Sequence, residues 1–224
     1  MIITIDGPAS SGKGTIAKML AKKIGYTYID TGAMYRALTY FCLKEEIDVF
    51  DEVRVSAALS NVKITFDSYG DIFVNDENVT SLIRTDEISR LTSQPVSVYE
   101  KVREGIVEQE RLFAQGNDVV VDGRDSGTVV FPEANYKFFV SASLEERAQR
   151  RYQQNIEFGH KSDYNEILNE LAKRDRNDIM RSISPLRIAK DGIVVDTTKM
   201  NTEQTLDYIY GIIKSDSDGN LKTP

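Results

Sequence analysis

A glycine-rich loop near the start of the chain constrains its fold more than any other segment. Residues 2–15 read IITIDGPASSGKGT, in which a β-branched run ends at Asp6 and the helix-compatible run IAKMLAKKI follows the loop. The spacing of Gly7, Gly12 and Lys13 matches the P-loop pattern, in which backbone N–H groups surround a phosphate and the lysine adds a positive charge. The N-terminus of the next helix contributes further positive potential. The sequence therefore predicts a strand, a phosphate-binding loop and a helix.

The residue after the lysine departs from that pattern. Gly14 stands where P-loops carry Ser or Thr, and Thr15 follows it. The Gly-Lys-Gly-Thr form resembles the loop of nucleoside monophosphate kinases. The direct magnesium ligand is therefore left open, because Thr15 is equally suited to bind a phosphate oxygen while water and nucleotide hold the metal.

Composition and charge fit one soluble α/β domain over residues 1–224. Hydrophobic residues make up 41% of the chain and charged residues 28%, close to globular averages. A net charge of −7 disfavours binding to nucleic acid or an anionic membrane, so positive charge for an anionic ligand has to be gathered locally. Cys42 is the single cysteine and is expected to be a buried apolar residue. With no signal peptide or membrane span in the sequence, we expect a protein of the reducing cytoplasm.

Apolar runs alternate with helix-compatible segments along most of the chain. Strands are predicted at residues 2–5, 26–29, 119–121, 136–140 and 193–195, and helices at residues 14–24, 33–46 (opened by residues 30–32), 51–60, 99–114, 144–154 and 202–214. This alternation predicts a P-loop NTPase fold with a doubly wound, five-stranded parallel sheet. Ligands of such sheets bind beyond the carboxyl ends of the strands, where polar residues follow four of the predicted strands.

One segment interrupts the alternation. Residues 62–66 alternate apolar and polar side chains, and a turn-like sequence separates them from residues 72–74. This pattern predicts a small antiparallel hairpin or three-stranded sheet, inserted on the acceptor side at about residues 61–89. A helical lid is expected at residues 147–164 and a disordered tail at residues 215–224.

Three arginines of the predicted lid share one helix face. Arg147, Arg150 and Arg151 lie at positions i, i+3 and i+4. One interpretation is a solvated face on which they pair with Glu145 and Glu146. The other is a positive surface for phosphoryl transfer, in which negative charge spreads over three oxygens and the protein supplies position and electrostatic stabilisation.

A second arginine-rich set follows further along the chain. Arg174, Asp178 and Arg181 have spacing i, i+4 and i+7, which predicts one shared helix face. Asp178 either neutralises the two arginines or accepts hydrogen bonds from a ribose. Arg36 and Arg124 follow the second and third predicted strands and bring further positive charge to the same edge of the sheet.

Several motifs together resemble bacterial cytidylate kinases. They are GPASSGKGT, DTGAMYR, SQPVS, VDGRDSGTVVFP, the ERAQRR helix and RDRND followed by RSISPL. The resemblance extends over about residues 2–214. It implies transfer of the γ-phosphoryl group of ATP to CMP or dCMP with Mg²⁺, by an enzyme expected to be a monomer with no nucleic-acid or membrane partner.

The resemblance also implies roles for individual residues. The ATP phosphates would be held by Gly7, Pro8, Ala9, Ser10, Ser11, Gly12, Lys13, Gly14 and Thr15. The CMP-binding set would comprise Thr31, Arg36, Ser93, Arg103, Gly123, Arg124, Asp125, Arg174, Asp178 and Arg181. The catalytic cations would be Lys13, Arg124, Arg147, Arg150, Arg151 and Arg181.

Within that set, three residues match those that read the cytosine ring. Ser93 and Asp125 offer acceptors and Arg103 offers donors, which complements the amino donor and ring-nitrogen acceptor of cytosine. Uracil presents the opposite pattern, so a preference for CMP and dCMP over UMP is expected. Arg36, Arg124 and Arg181 would hold the CMP phosphate, and Arg174 with Asp178 would contact the ribose.

The expected reaction requires no general base, because the attacking oxygen belongs to an ionised phosphate. His160 is accordingly predicted to be non-catalytic, in an exposed loop near the lid. Asp122 has two open interpretations: it holds Mg²⁺ through water, or it orients Arg124 and Lys13. Closure of the lid and the inserted sheet is expected to exclude water.

Three other classes are weighed against this one. A small-molecule P-loop kinase with a different acceptor is the nearest. A regulatory P-loop protein is disfavoured because no guanine-reading Asn-Lys-x-Asp motif is found. A nucleic-acid binder is disfavoured by the acidic charge and by the absence of aromatic residues among the clustered arginines.

Overall fold

Parallel strands and helices alternate along most of the chain, which a computed structural model describes over residues 1–67 and 70–217. The strands are β1 (Ile2–Asp6), β2 (Thr27–Asp30), β3 (Ile64–Phe66), β4 (Ile72–Val74), β5 (Glu77–Asn78), β6 (Val119–Gly123), β7 (Tyr136–Ser141) and β8 (Ile193–Asp196). The helices are α1 (Lys13–Ile24), α2 (Thr31–Lys44), α3 (Glu52–Ala58), α4 (Asp86–Ser93), α5 (Glu100–Ala114), α6 (Leu144–Glu157), α7 (Tyr164–Met180) and α8 (Thr202–Ser217).

Five parallel strands form the central sheet in the order β2-β6-β1-β7-β8. Strand β1 lies in the middle, with Ile5 opposite Asp122 of β6 on one side and Phe138 of β7 on the other. The predicted doubly wound parallel sheet is confirmed. Because all five strands run in one direction, their polar ends meet at one edge, where the loop after β1 also lies.

Two apolar clusters cover the two faces of this sheet. Because side chains alternate along a strand, Ile3 and Ile5 of β1 face one cluster with α1 and α8, while Val119 and Val121 of β6 face the other with α2 and α5. Cys42 is buried in the second cluster, as predicted, and burial raises the pKa of its thiol to about 11.

The three short strands β3, β4 and β5 form the predicted antiparallel sheet. Ile64 pairs with Val74, and the inward side chains of β3 and β4 join the cluster that contains α2. Residues 68 and 69 of the predicted turn lie outside the described residues. Helix α4 begins at Asp86, so the end of the predicted 61–89 segment is helical.

Several element ends differ from the prediction. Helix α8 continues to Ser217, so residues 215–217 of the predicted tail are helical, and residues 218–224 lie outside the described part of the chain. Helix α7 ends at Met180, because Arg181 has an extended ψ of 140°. The prediction that Arg181 shares a helix face with Arg174 and Asp178 is therefore wrong, although its backbone N–H still donates to the Asn177 carbonyl. No helix in the described ranges combines the length and the apolar character that a membrane span requires.

Candidate active site

The loop between β1 and α1 has the backbone of an anion site. A side chain at Gly7 would collide with the Val140 carbonyl oxygen of β7. Gly12 adopts a left-handed φ of 86° and caps α1 without any side-chain hydrogen bond. The first N–H groups of α1 therefore have no side-chain acceptor at the cap, and backbone donors of this kind bind anions.

Two arginines of α6 hold the outer side of this loop. The Nη1 of Arg147 donates to the Ala9 carbonyl at 3.1 Å, and the Nη1 of Arg150 donates to the Ser11 carbonyl at 3.4 Å. With their carbonyl oxygens bonded to α6, these loop residues have a fixed backbone conformation. The α6 arginines thus act on the phosphate-binding loop itself.

Lys13 lies at the mouth of the loop beside a buried carboxylate. Its Nζ is 3.3 Å from the Pro8 carbonyl and 3.8 Å from Oδ1 of Asp122. Burial lowers the pKa of Lys13 to about 8, Arg124 acts in the same direction, and Asp122 opposes them. A nearby phosphate would stabilise the protonated form of Lys13, because its negative charge would offset the effect of burial on the ammonium group.

Asp122 is the residue before the last one of β6 and is almost completely enclosed. Its Oδ2 accepts a hydrogen bond of 3.2 Å from the Tyr28 hydroxyl, while its Oδ1 has no hydrogen-bond donor among the described residues. Burial raises the pKa of Asp122, and Lys13 partly offsets that effect. Gly14 places its Cα against this carboxylate. Thr31 donates to the Asp122 carbonyl at 2.9 Å.

A cleft of about 210 Å³ opens beside Lys13 and gathers the predicted acceptor-site residues. Those among its lining are Thr31, Arg36, Ser93, Arg103, Gly123, Arg124, Asp125, Arg174, Asp178 and Arg181. They come from α2, α4, α5, the end of β6 with the two residues after it, and α7 with the residue after it. Segments far apart in sequence therefore converge on one polar cavity at the carboxyl edge of the sheet.

Asp125 is held between two arginines at one end of this cleft. Its Oδ2 accepts from Nη2 of Arg103 at 2.6 Å, and its Oδ1 accepts from Nη2 of Arg181 at 3.1 Å. Arg103 also donates to the Ser97 carbonyl at 3.1 Å and lies over the ring of Tyr35. Charge-assisted bonds of this kind are short and strongly oriented, so the acceptor and donors at this end have fixed directions.

Further ion pairs line the rest of the cleft. The Nε of Arg124 donates to Asp178 at 2.8 Å, and Arg36 donates to Asp30 at 2.9 Å. Burial alone would raise the pKa of Asp178, but Arg124, together with Arg174 and Arg181, outweighs burial and holds that pKa below its usual value. The Arg174 side chain, in helix α7, forms neither a hydrogen bond nor an ion pair within residues 1–67 and 70–217. The cleft therefore has positive charge available for an anion.

The three lid arginines have different surroundings. Arg147 is buried and lies 2.7 Å from Asp175 of α7. Arg150 is bonded to Glu146 and to the Thr197 carbonyl at 2.6 Å. Arg151 is exposed, and the one hydrogen bond of its side chain in the described structure is to the side chain of Gln154, on its own helix. Helix spacing placed these arginines on one face but did not distinguish the two side chains that bind other segments from the one that binds only its own helix.

Six cleft residues are absent from the predicted sets. They are Asp30, Gly32, Tyr35, Ser89, Thr92 and Ser97. Asp30, Gly32 and Tyr35 belong to DTGAMYR and Ser97 to SQPVS, so the same motifs could have identified these four, whereas Ser89 and Thr92 lie in none of the quoted motifs. Asp30 caps α2 by accepting from the Ala33 amide at 2.8 Å, which fixes the entry of that helix into the cleft.

A larger and more apolar cavity lies elsewhere. It has a volume of about 830 Å³ and includes Ile2, at the amino end of β1, together with Val107 and Leu112 of α5. Arg103 lines both cavities. The smaller cleft is the candidate active site, because it lies at the carboxyl ends of the strands and carries the convergent charged groups.

The described residues contain no group of three or more His, Cys, Asp or Glu side chains placed to hold a metal. The free Oδ1 of buried Asp122 fits a contact through water to a metal that the nucleotide carries. Thr15 lies in the first turn of α1 and is exposed. His160 is exposed between α6 and α7, as predicted.

The parallel sheet, the glycine-rich loop with its lysine and the arginine-lined cleft define a P-loop kinase. A sequence profile of the cytidylate kinase family matches residues 3–215. Curated cytidylate kinases from Halalkalibacterium halodurans, Caldanaerobacter subterraneus and Bacillus subtilis are 42%, 45% and 43% identical to this chain, over 96%, 98% and 96% of it and 97% of each relative. The chain therefore belongs to the cytidylate kinase family.

A solved structure supports the fold alone. An uncharacterized protein from Eubacterium ventriosum matches with a TM-score of 0.52 at 13% identity, over 96% of this chain and 99% of that one. The family assignment therefore rests on sequence similarity.

Proposed function

We propose that this enzyme transfers the γ-phosphoryl group of ATP to CMP or dCMP, forming ADP and CDP or dCDP. The observation that carries this proposal is the fixed Arg103–Asp125–Arg181 arrangement at one end of the cleft, in a chain of the cytidylate kinase family. This arrangement offers one hydrogen-bond acceptor and several hydrogen-bond donors, in fixed directions, to a nucleotide base. It lies in the same cleft as Lys13, where the nucleotide that receives the phosphoryl group would bind.

The ATP phosphates bind at the glycine-rich loop. Its backbone donors and the N-terminus of α1 surround them, and Lys13 contacts the outer phosphates. Arg147 and Arg150 support this site by holding the carbonyls of Ala9 and Ser11. The loop is therefore arranged before ATP arrives, and less free energy is spent on ordering it.

The acceptor phosphate binds among Arg36, Arg124 and Arg181, each of which already pairs with a carboxylate. A phosphate that enters the cleft shares these guanidinium groups, because their remaining N–H donors suit its oxygens. Arg174 has no carboxylate partner in the described structure and adds positive charge near Asp178, which accepts from the ribose.

The base binds at Asp125, Arg103 and Ser93. The amino group of cytosine donates to an oxygen of Asp125 or Ser93, and its ring nitrogen accepts from Arg103. Uracil would place a carbonyl and an N–H at those positions. Its oxygen would then face the Asp125 carboxylate, and neither buried group would have a hydrogen-bond donor. Unpaired buried groups of this kind lower kcat/KM for the wrong substrate by several powers of ten.

The transferred group moves directly from ATP to the ionised acceptor phosphate. When bound, Mg²⁺ neutralises charge on the ATP phosphates, and Asp122 through water, or Thr15, would hold it. Lys13, Arg124 and Arg181 stabilise the charge of the transferring group from fixed positions. Arg151 is the lid arginine free to join them when residues 147–164 close.

The direct test is ADP release from ATP and Mg²⁺ in the presence of each monophosphate in turn. Release with CMP and dCMP, and little with UMP, AMP or dTMP, supports both the reaction and the base contacts. Release with a different monophosphate retains the kinase reaction but refutes the roles of Ser93, Arg103 and Asp125. A protein that is folded and binds ATP but releases ADP with none of them refutes the proposed function.

A further inference from the structure

The side chain of Tyr28 reaches from β2 to the end of β6. Tyr28 lies opposite Val120 in the parallel pairing of these strands, and Asp122 is two residues further along. Since residues two apart on a strand point to the same face, the tyrosine hydroxyl meets the Asp122 carboxylate, at 3.2 Å. No motif in the sequence marks Tyr28 for this role.

This hydrogen bond fixes the direction of a carboxylate that has few other contacts. With Oδ2 bonded to Tyr28, the Oδ1 of Asp122 faces Lys13 at 3.8 Å. Without the hydroxyl, Oδ2 would be a buried acceptor with no donor, and a buried acceptor recovers free energy by turning toward a cation. The nearest one is Lys13, which would then pair more tightly with Asp122 and less with a phosphate.

The ring of Tyr28 contacts a second part of the molecule. A Cβ built on Gly70, in the turn between β3 and β4, would lie 3.1 Å from Cδ1 of Tyr28. The backbone of Gly70 therefore packs against the ring. Tyr28 contacts Gly70, two residues before β4, with its ring and the Asp122 carboxylate beside Lys13 with its hydroxyl.

We propose that Tyr28 is a positioning residue that sets Asp122 beside Lys13 and connects their geometry to the turn of the small sheet. The kinetic part of this inference rests on the proposed function. The nucleotide-binding part does not, because Lys13 contacts ATP whichever acceptor is used. A shift of Gly70 would displace the ring of Tyr28, and through the hydroxyl it would change the direction of the carboxylate beside Lys13.

The test replaces Tyr28 by phenylalanine, which keeps the ring and its contact with Gly70 and removes only the hydroxyl. We expect kcat with CMP to fall about tenfold, as for loss of a hydrogen bond to a charged group, while the KM for CMP stays within about twofold. The Kd of a non-hydrolysable ATP analogue, measured by calorimetry without CMP, should rise several-fold. Tyr26→Phe is the matched control, because the Tyr26 hydroxyl contacts only the Met1 sulfur within the described structure.

Two outcomes overturn the role of the hydroxyl. One is a Tyr28→Phe enzyme with wild-type kcat and wild-type analogue affinity. The other is a lowered thermal midpoint with unchanged analogue affinity, which indicates a structural role alone. If wild-type protein fails to phosphorylate CMP, the proposed function fails, while the analogue-binding comparison still decides the role of Tyr28.

The connection to the small sheet has its own pair of variants. Gly70→Ala and Gly116→Ala place a side chain at left-handed φ values of 82° and 77°, but only the Gly70 methyl meets Tyr28, whereas nothing lies within 4 Å at Gly116. We expect a several-fold lower kcat and a weaker analogue affinity for Gly70→Ala alone. Equal kcat and equal analogue affinity in the two variants would refute the proposed connection between Gly70 and Tyr28.

Discussion

The Asp122 carboxylate occupies the space in which residue 14 would carry a side chain. A Cβ built on Gly14 would lie 2.6 Å from Oδ2 of Asp122. Serine or threonine at this position would therefore displace a carboxylate that lies beside Lys13. Glycine follows Lys13 in place of the usual Ser or Thr because the Asp122 carboxylate of β6 leaves no space for a side chain at residue 14.

Gly14→Ser restores the usual P-loop hydroxyl, yet we expect it to lose activity. The new side chain forces the Asp122 carboxylate to turn away, so kcat should fall about tenfold or more. The turned carboxylate also loses its hydrogen bond from the Tyr28 hydroxyl, so the free energy of unfolding should fall by about 1 to 3 kcal/mol. Kinetics and urea denaturation check both values.

Gly211→Ser is the matched control for that variant. Gly211 lies in helix α8, and nothing lies within 4 Å of a Cβ built there. Its kinetics should match those of the wild type. A Gly14→Ser enzyme with wild-type or higher kcat would contradict the steric account.

Asp125→Asn tests the base contacts. The variant keeps the shape of the side chain but removes the charge that Arg103 and Arg181 share. We expect kcat/KM for CMP to fall about 100-fold, since breaking a buried charged pair costs several kcal/mol, and to fall less for UMP. The preference for CMP over UMP should therefore shrink at least about tenfold, which steady-state kinetics with both nucleotides measures.

The control for Asp125→Asn is Asp207→Asn, which removes an exposed ion pair with Lys23. It should leave both kinetic constants unchanged, because exposed pairs contribute little. An unaltered preference in the Asp125→Asn enzyme would show that base discrimination lies elsewhere.

Arg147→Met and Arg151→Met should separate stability from catalysis. Arg147 is buried against Asp175 and the Ala9 carbonyl, so its loss leaves a carboxylate unpaired and should cost about 3 kcal/mol or more of unfolding free energy. Arg151 is exposed, so its loss should change stability by less than about 0.5 kcal/mol while lowering kcat. Equal stability losses in the two variants would contradict this division.

Glu110 gives a pH dependence to stability. Its side chain is buried in α5, and neither carboxyl oxygen has a hydrogen-bond partner in the described part of the chain. Burial raises the pKa of Glu110 well above its usual value, with Asp125 and Asp6 adding to the effect and Arg103 and Arg111 opposing it. The folded protein therefore keeps a proton that the unfolded chain releases.

Stability should consequently fall as pH rises above the ordinary pKa of 4.5, by up to ~1.4 kcal/mol per pH unit until the folded group ionises. Glu110→Gln carries no such proton, so it should be more stable than the wild type at pH 8, with an advantage that shrinks toward pH 5. Urea denaturation at both values measures this. Glu104→Gln, exposed on the same helix, should show no such trend, and parallel curves for Glu110→Gln and wild type would refute the assignment.

Local patterns predicted the main elements of the fold. A continuous β-branched run precedes Gly7, and residues 62–66 alternate apolar and polar side chains. Both patterns are typical of strands, so the central strands and the small sheet could be predicted from the sequence. Helix α4 lacked a comparable signal and was not predicted. No bounds were predicted for α7, and Arg181 was wrongly assigned to a helix face, because its i+7 spacing continues the helical pattern past Met180, where the helix ends.

The pairings within the cleft could not be predicted from spacing. Residues that share a helix face are visible in sequence, but the group that each one meets belongs to another segment. Arg103 meets Asp125 from 22 positions away, and Arg147 meets Ala9 from 138 positions away. The contact of Tyr28 with Asp122 likewise depends on which strand lies beside β2.

A competition between CMP and UMP in one reaction tests the proposed phosphoryl acceptor most directly. The enzyme is mixed with Mg²⁺, limiting ATP and equal concentrations of CMP and UMP, and the ratio of CDP to UDP is measured early by ion-exchange chromatography. That ratio equals the ratio of the two kcat/KM values. We expect CDP in excess by about 100-fold or more, whereas comparable amounts of CDP and UDP would refute the proposed cytosine contacts.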